Sequence, residues 1–425
     1  MRKSGWWSRR SLMRAVAGIL VGIASLATAK AQTAEPATAD FGGPRWVATW
    51  GVPPMPHGST FNPGSRSFDN QTVRQIVPIT VGGSRVRIKL SNEYGVGALI
   101  VGAAHVALQS TGASIVSGTD KALTFRGRES VVIPEGATVL SDPVNFAVPS
   151  NARLSISLYF PQNTGFVTYH ENGTQTAYTS TPGNFADAVN LPVQDDTSLS
   201  RYVLTFVEVL SPGRVDGLAI FGDSVSEGST TTPNANRRAS DVLSRWFNLP
   251  YGPARLAVLN QSTGCGRLLS DICGPSGLSR FDREVLNATG VNQVLIELGL
   301  VDIILPTVLG DPNQLVSADQ IIAGLRQLIR RARQEGLRVY GATITPNGSS
   351  PVPGVHTPEN EAKRQAVNRW IRTSRQFDAV VDYDLSLRDP NDPDRLAPAY
   401  DSGDGIHPND AGHEAIARAI ALSLR

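Results

Sequence analysis

Several kinds of residue are scarce in this sequence, and each shortage argues against a class of protein. Only two cysteines occur among 425 residues, Cys265 and Cys273, so a disulfide framework does not define the fold. The 39 basic and 37 acidic side chains nearly cancel, and no block of like charge follows the first residues, so nothing indicates nucleic-acid binding. The six histidines are scattered and lack metal-ligand spacing with the cysteines. We therefore expect neither a metal nor another cofactor.

Long apolar runs are absent beyond the N-terminus. No later segment reaches 18 uncharged apolar residues, so we expect no membrane span in the mature chain. Residues 1–31 have the parts of an export signal: basic residues, the apolar stretch AVAGILVGIASLATA, and the small residues AKA at its end. The run SRRSLMR resembles a twin-arginine signal, and an Arg-rich Sec signal is the alternative. We expect a periplasmic or extracellular protein that begins near Gln32.

The first long region has the periodicity of β-strands. It follows residues 32–43, which are small and polar with Pro and Gly, as is typical of a flexible linker. In SRVRIKLS the apolar residues Val86, Ile88 and Leu90 alternate with charged ones, which is the pattern of a strand with one wet face. Many such short runs indicate an all-β, jelly-roll-like sandwich over 44–211.

The pattern changes near residue 212. Apolar runs such as DGLAIFGDS and VNQVLIELG alternate with helical segments such as SADQIIAGLRQLIRRARQEG. Because these strands are apolar throughout, both faces of their sheet should be covered, as in a parallel sheet between helices. The sequence therefore predicts a three-layer α/β/α domain over 212–425.

The motif Gly222-Asp223-Ser224 directly follows the first apolar strand of this second region. Ser224 should therefore lie at the carboxyl end of a strand, where open α/β sheets bind their ligands. A helix that begins there would turn its free N–H groups toward an oxyanion formed beside the serine. A helix cap made by Asp223 or Ser224 is the simpler interpretation of the motif alone.

A second motif, Asp404-Gly405-Ile406-His407-Pro408, lies near the end of the chain. A carboxylate three residues before a histidine can accept the ring N–H, which fixes the tautomer and stabilises an imidazolium. His407 would then serve as general base for a serine hydroxyl. Taken alone, the motif is also consistent with a solvated turn before the last helix, capped by Asn409 or Asp410.

Together, these motifs resemble the first and last blocks of the SGNH hydrolases, also called GDSL esterases. The strand and helix order from 215 to 425 is similar to that family, and VRQIVPITVGGSRVRIKLSNEYG resembles the β-sandwich that some members carry in front. The resemblance implies an SGNH-type fold and a Ser-His-Asp acyl-transfer site with Ser224 as nucleophile, His407 as base and Asp404 as its orienting partner. It also implies an oxyanion hole made of the Ser224 N–H, a glycine N–H after the second strand and an asparagine amide in a G-x-N-D segment.

Two oxyanion positions depart from the family pattern. In NQSTGCGRLL the glycine falls on Cys265, although Gly264 or Gly266 takes the role in a shifted register; a backbone N–H is present in each case. In the G-x-N-D segment, Val301 replaces the asparagine and cannot donate a hydrogen bond. Because losing one oxyanion donor typically lowers turnover by ~10²–10³, we expect a slow enzyme. Asn347, in TITPNGSS, is a candidate substitute donor, and a turn residue is its simpler interpretation.

Two further features concern the surroundings of this site. The cysteines are eight residues apart, within reach of a disulfide that export would permit and that would stiffen the oxyanion loop; two free thiols are the alternative. The polar segment 169–172 belongs to the predicted sandwich, and an approach to the catalytic face is a secondary interpretation.

The leading functional hypothesis is an exported serine esterase that cleaves carboxylic esters through an acyl-enzyme, with an acetylated carbohydrate or a short-chain ester as substrate. An acyltransferase that uses the same triad and an alcohol acceptor is the second hypothesis. A catalytically degenerate carbohydrate-binding module is the third, motivated by Cys265 and Val301. Retention of Ser224, Asp404 and His407 argues against the third hypothesis, because binding alone does not require all of them.

Overall fold

The computed structural model describes residues 43–58, 64–249, 252 and 254–424, without the side chain of Asp195. The predicted export signal and nearly all of the predicted linker lie outside these residues. The described residues belong to one compact unit. None of the helices in the described ranges is long and apolar enough to cross a membrane.

Antiparallel strands make up the first region. In chain order they are β1 (Arg45–Gly51), β2 (Gln71–Pro78), β3 (Gly83–Ser91), β4 (Leu99–Val101), β5 (Ala103–Leu108), β6 (Lys121–Leu123), β7 (Val131–Ile133), β8 (Thr138–Leu140), β9 (Val144–Val148), β10 (Arg153–Phe160), β11 (Tyr169–His170), β12 (Ala177–Pro182), β13 (Val193–Ser198), β14 (Arg201–Tyr202) and β15 (Leu204–Ser211). One main sheet has the order β1–β15–β3–β8, with β9 also paired to β3, and the other has the order β13–β12–β2–β10–β5–β6. The predicted all-β sandwich is confirmed.

The alternation in β3 has the expected effect on burial. Val86, Ile88 and Leu90 are fully buried in the core of the sandwich, whereas Arg87 and Lys89 lie on the opposite face and are partly exposed. Full burial of one such aliphatic side chain contributes about 1.5–3 kcal/mol. A register shift of one residue would exchange the two faces, so this pattern also determines the strand pairing.

A parallel sheet with helices makes up the second region. Its strands are β16 (Asp216–Gly222), β17 (Leu256–Asn260), β18 (Gln293–Glu297), β19 (Arg338–Ala342) and β20 (Ala379–Val381), and its helices are α1 (Ser224–Glu227), α2 (Ala239–Phe247), α3 (Gly277–Phe281), α4 (Leu300–Leu309), α5 (Ala318–Gln334), α6 (Pro358–Thr373), α7 (Tyr383–Leu387) and α8 (Asp410–Ser423). A short π-helical turn follows α3 and a 3₁₀ turn follows α4. Helix α2 packs against β17 and α8, and α5 packs against β19 and α6. The predicted three-layer α/β/α domain is confirmed.

The strand order determines where the site forms. The sheet has the order β17–β16–β18–β19–β20. The next strand in the chain, β17, therefore lies on one side of β16, and the later strands lie on its other side. Such a reversal opens a crevice at the carboxyl ends of the strands. Ser224 follows β16, Cys265 follows β17 and Val301 follows β18, which brings all three to the same edge of the sheet.

The sandwich covers the edge strand β17. The N–H of Val258 donates to the hydroxyl of Thr80 at 3.2 Å, and Ala48 and Phe206 pack against Leu259. Covering an edge strand in this way protects N–H and C=O groups that would otherwise pair with another chain. The two regions therefore share a buried interface, and the domain boundary near residue 212 stays a prediction from periodicity.

Candidate active site

Ser224 is the first residue of α1, directly after β16. Asp223 caps this helix, since its backbone is extended and its Oδ1 accepts the N–H of Val225 at 2.9 Å. Both Asp223 and Val225 are buried, while Ser224 between them is partly exposed. The cap that the motif predicts is therefore present, and it leaves Ser224 partly exposed at the start of α1.

The structure brings Ser224, His407 and Asp404 together. The Nε2 atom of His407 lies 2.8 Å from Ser224 Oγ, and its Nδ1 atom lies 2.6 Å from Asp404 Oδ2. A carboxylate only accepts hydrogen bonds, so Nδ1 carries the proton and Nε2 is left with a free lone pair. This tautomer is the one that can accept the proton of the serine hydroxyl.

Asp404 also fixes the loop that presents the histidine. Its Oδ1 accepts two backbone N–H groups, including that of His407 at 2.8 Å. Gly405, which follows Asp404, has a φ of +72°, and a Cβ at this position would lie 2.2 Å from the backbone nitrogen of Ser350. Only glycine combines this backbone conformation with so close an approach.

Charge and burial shift the pKa values of His407 and Asp404 in opposite directions. Burial by itself would lower the pKa of His407, but the hydrogen bond and the charge of Asp404 raise it above its usual value. For Asp404, burial would raise the pKa, yet the hydrogen bonds from His407 hold it well below its usual value. Asp404 therefore stays ionised, and the imidazole gains affinity for a proton.

The segment after β17 distinguishes among the three candidate backbone donors. The N–H of Gly264 donates to Glu227 Oε1 at 3.0 Å, and the N–H of Gly266 donates to the carbonyl of Thr263 at 3.1 Å. Within the described part of the chain, the N–H of Cys265 has no hydrogen-bond acceptor. Of the three alternatives, Cys265 is thus the residue whose N–H is available to a ligand.

Two hydrogen bonds hold this segment beside α1. The N–H of Thr263 donates to the carbonyl of Gly222 at 3.3 Å, and the Gly264 contact reaches Glu227 on the other side of the serine. Glu227 is buried, and its Oε2 also accepts the hydroxyl of Ser229 at 2.7 Å. Burial raises the pKa of Glu227 to about 7. The loop after β17 is therefore hydrogen-bonded to residues that precede and follow Ser224 in the chain.

Cys265 has the backbone conformation of a glycine. Its φ is +57°, in the left-handed region that residues with a Cβ avoid. It forms the predicted disulfide with Cys273, with the two Cα atoms 5.7 Å apart. A glycine would adopt this conformation without strain, whereas here a cysteine held in a disulfide adopts it.

Val301 lies in the first turn of α4 and is buried, with 6 % of its surface exposed. Its neighbour Asp302 accepts the N–H groups of Leu268 and Leu269 at 2.7 and 3.0 Å. The acid of the G-x-N-D pattern therefore still anchors the segment that follows Cys265. The donor of that pattern is missing, because an isopropyl side chain has no N–H or O–H.

Asn347, the candidate substitute donor, lies in the loop after β19. It is buried, and its Oδ1 is 3.4 Å from His356 Nδ1. Within the described residues it has no hydrogen bond to Ser224 or His407. Its role as a donor stays a prediction.

The sequence did not identify Glu227, although it did indicate that the polar segment 169–172 of the sandwich could approach the site. His170, on β11, is buried with Nε2 3.4 Å from Glu227 Oε1, and burial lowers the pKa of this histidine to about 3. Asn172 donates through Nδ2 to the carbonyl of Ser229 at 3.4 Å. The polar segment 169–172 therefore does approach the end of α1. The position of Glu227, three residues after Ser224 on a helix, is the signal that could have revealed it.

Comparison with known proteins identifies a family for the second region. The family model described as "GDSL-like Lipase/Acylhydrolase family" matches residues 220–415, and this part of the chain is a domain of that family. This family supports a carboxylic ester hydrolase. No curated protein matches the sequence significantly.

Three solved structures illustrate what the chain is similar to. A GDSL-like lipase from Bacteroides thetaiotaomicron is 16 % identical over 48 % of this chain and 86 % of that one, with a TM-score of 0.37. An alpha/beta hydrolase enzyme from the metagenome of Lake Arreo in Spain is 18 % identical over 48 % and 93 %, with a TM-score of 0.37. A mutant of an acetyl-xylooligosaccharide esterase from Geobacillus is 18 % identical over 49 % and 93 %, with a TM-score of 0.37.

Proposed function

We propose that this protein is a serine esterase that hydrolyses carboxylic esters through an acyl-enzyme, with Ser224 as nucleophile, His407 as general base and Asp404 as the group that orients it. The observation that carries the proposal is the chain of hydrogen bonds from the Ser224 hydroxyl through His407 to Asp404, at 2.8 and 2.6 Å, within a GDSL-like domain. A solvated turn or a helix cap would not require a serine hydroxyl on the free nitrogen of the imidazole.

The reaction follows from the proton positions. Ser224 Oγ attacks the ester carbonyl carbon while its proton passes to His407 Nε2, and Asp404 stabilises the imidazolium that results. His407 then gives this proton to the leaving alcohol oxygen as the carbon–oxygen bond breaks, which leaves the acyl group on Ser224. Water, deprotonated by the same imidazole, then attacks the acyl carbon. The bond from this carbon to Ser224 Oγ breaks, His407 returns the proton to Oγ, and the carboxylic acid is released.

Two backbone groups are available for the oxyanion. Within the described residues neither the N–H of Ser224 nor that of Cys265 has an acceptor, and both adjoin the nucleophile's helix. Preorganised N–H donors of this kind stabilise the charge that develops on the carbonyl oxygen. Val301 supplies no third donor, so we propose a slower enzyme than a three-donor relative, by ~10²–10³.

The sequence also suggests a class of substrate and a location for this esterase. We propose that the substrate is a short-chain ester, with an acetylated carbohydrate as the natural candidate, and that the protein acts outside the cytoplasm. The export part rests on the basic, apolar and small-residue segments of residues 1–31. The substrate part rests on the family of the domain.

Hydrolysis of p-nitrophenyl esters of increasing acyl length, by the wild-type protein and by Ser224→Ala, tests the proposal. We expect release of p-nitrophenol by the wild type, falling with acyl length, and none above background from the variant. Equal release from both proteins would instead favour the degenerate binding module. Formation of a new ester when an alcohol acceptor is added would favour the acyltransferase.

A further inference from the structure

We propose that the Cys265–Cys273 disulfide is a positioning element of the oxyanion hole, which holds Cys265 in the left-handed conformation that keeps its N–H available to the ester. The inference rests on the proposed esterase function and adds to it. It makes turnover depend on the oxidised state of two cysteines.

The backbone of Cys265 provides the first argument. At a φ of +57° the Cβ of an L-residue approaches the following carbonyl, a contact that glycine avoids because it has no Cβ. A cysteine without restraint would favour an extended or right-handed helical conformation. The covalent bond to Cys273 is the restraint that acts on this residue directly.

The hydrogen bonds on either side provide the second argument. Gly264 and Gly266 are both held through their N–H groups, by Glu227 and by the carbonyl of Thr263. With its neighbours fixed, Cys265 can relax its φ only by turning the peptide groups that flank it. Such a turn would move the one N–H of the three that is open to a ligand.

The far end of the bridge is itself fixed. Cys273 is buried with 2 % of its surface exposed, and its loop is closed by Asp271, whose Oδ1 accepts the N–H of Ser276 at 2.6 Å. Met55 of the sandwich supports the other end, since its sulfur accepts the hydroxyl of Thr263 at 3.2 Å. The disulfide therefore joins the oxyanion loop to a second anchored loop.

Reduction offers a direct way to release the restraint. Dithiothreitol supplies two electrons and two protons, the sulfur–sulfur bond breaks to give two thiols, and the reagent closes to its own cyclic disulfide. The oxyanion exists in the transition state and not in the bound ester, so kcat should fall while KM changes little. If the bridge had only a structural role, reduction would lower the stability of the protein and would not lower kcat selectively over KM.

Three variants separate the bridge from the backbone conformation. All three variants lack the bridge and differ in the residue at position 265. Cys273→Ala keeps the cysteine there, and Cys265→Ala/Cys273→Ala has an alanine, which disfavours positive φ. Cys265→Gly/Cys273→Ala has a glycine, which adopts positive φ freely. We expect the double alanine variant to lose roughly 10- to 100-fold in kcat, approaching the loss of one oxyanion donor. The glycine variant should be at least severalfold faster than the double alanine variant.

The assay measures hydrolysis of p-nitrophenyl acetate at a temperature well below the thermal unfolding midpoint of each variant. Circular dichroism checks that each variant is folded. Wild-type protein is also incubated with dithiothreitol, desalted under nitrogen and titrated for free thiols, so that the conclusion does not depend on variants that fail to fold. We expect two thiols per chain and a matching fall in kcat, while the double alanine variant is unaffected by the same treatment.

Equal kcat for folded glycine and alanine variants, or full turnover in fully reduced wild type, would overturn the inference. These outcomes leave the esterase intact, because wild-type turnover would still disappear in Ser224→Ala. If Ser224→Ala keeps the wild-type rate, the proposed function falls and this inference falls with it.

Discussion

The two sides of the candidate active site are built in different ways. On the proton-transfer side, Ser224, His407 and Asp404 contact one another directly, at 2.8 and 2.6 Å. On the candidate oxyanion side, Cys265 is held by the disulfide to Cys273, and Val301 lies in the first turn of α4, whose Asp302 anchors the segment after Cys265. The proton-transfer side is therefore encoded in two short motifs, while the oxyanion side depends on contacts between distant loops.

This difference explains why the two departures from the family pattern are not equivalent. Cys265 keeps the backbone N–H that the family glycine provides, and a disulfide holds the unusual conformation. Val301 replaces a side-chain donor, which no backbone group at that position restores. We expect the first departure to be largely compensated and the second to limit the rate.

Removal of the nucleophile should have the largest effect. Ser224→Ala should lower kcat by ~10⁴ or more, because a single missing triad member abolishes the covalent route. Ester hydrolysis followed by p-nitrophenol release measures this, with unchanged circular dichroism as the control for folding. A variant with a substantial fraction of wild-type turnover would break the comparison, since the proton-transfer side would then not be the catalytic one.

Asp404→Asn should have the next largest effect, a fall in kcat of ~10³–10⁴, because the amide no longer favours the productive tautomer. The pH profile carries a second signature. Asp404 raises the pKa of His407 in the native protein, so its loss should move the acidic limb of kcat/KM to lower pH. A limb that stays in place would mean that another group sets the titration of the base.

Restoring the family donor should raise the rate. Val301→Asn should increase kcat by roughly 10- to 100-fold, since one added oxyanion donor is worth up to ~10²–10³ when its geometry is ideal. Val301→Leu is the matched control, because it changes the packing without adding a donor. If neither substitution alters kcat, a group such as Asn347 already occupies the position.

Glu227 tests whether the two sides are connected. Above about pH 7, where Glu227 is ionised, Glu227→Ala removes the acceptor for the Gly264 N–H and should lower kcat about tenfold, as expected for a lost hydrogen bond to a charged group worth ~1.5–3 kcal/mol, part of which water replaces. Glu227→Gln keeps an acceptor oxygen and should restore most of the rate. If both variants lose the same activity, the charge of Glu227, rather than its hydrogen bond to the loop, is what matters.

Much of this architecture could be predicted from the sequence, for identifiable reasons. The alternation of Val86, Ile88 and Leu90 with charged residues requires a half-buried strand, and apolar runs such as that before Ser224 require a sheet covered on both sides. The spacing of Asp404 and His407 places a carboxylate beside the ring through local geometry alone. In each case neighbouring residues carry the information.

Other parts could not be predicted, because they join residues that are far apart in the chain. The choice of Cys265 over Gly264 and Gly266 depends on Glu227 and Thr263 occupying the other two N–H groups. The contact of His170 with Glu227 depends on how the sandwich packs on the second region, and no motif reports that packing.

By itself, the sequence determined the two kinds of sheet, the candidate nucleophile with its candidate base and the absence of a side-chain donor at position 301, because periodicity and local spacing are properties of short segments. Only the tertiary structure decided which N–H is left open for an oxyanion and which residues hold it. The physical reason is that hydrogen-bond donors are assigned by competition among acceptors, and the acceptors that compete here come from separate strands, helices and loops.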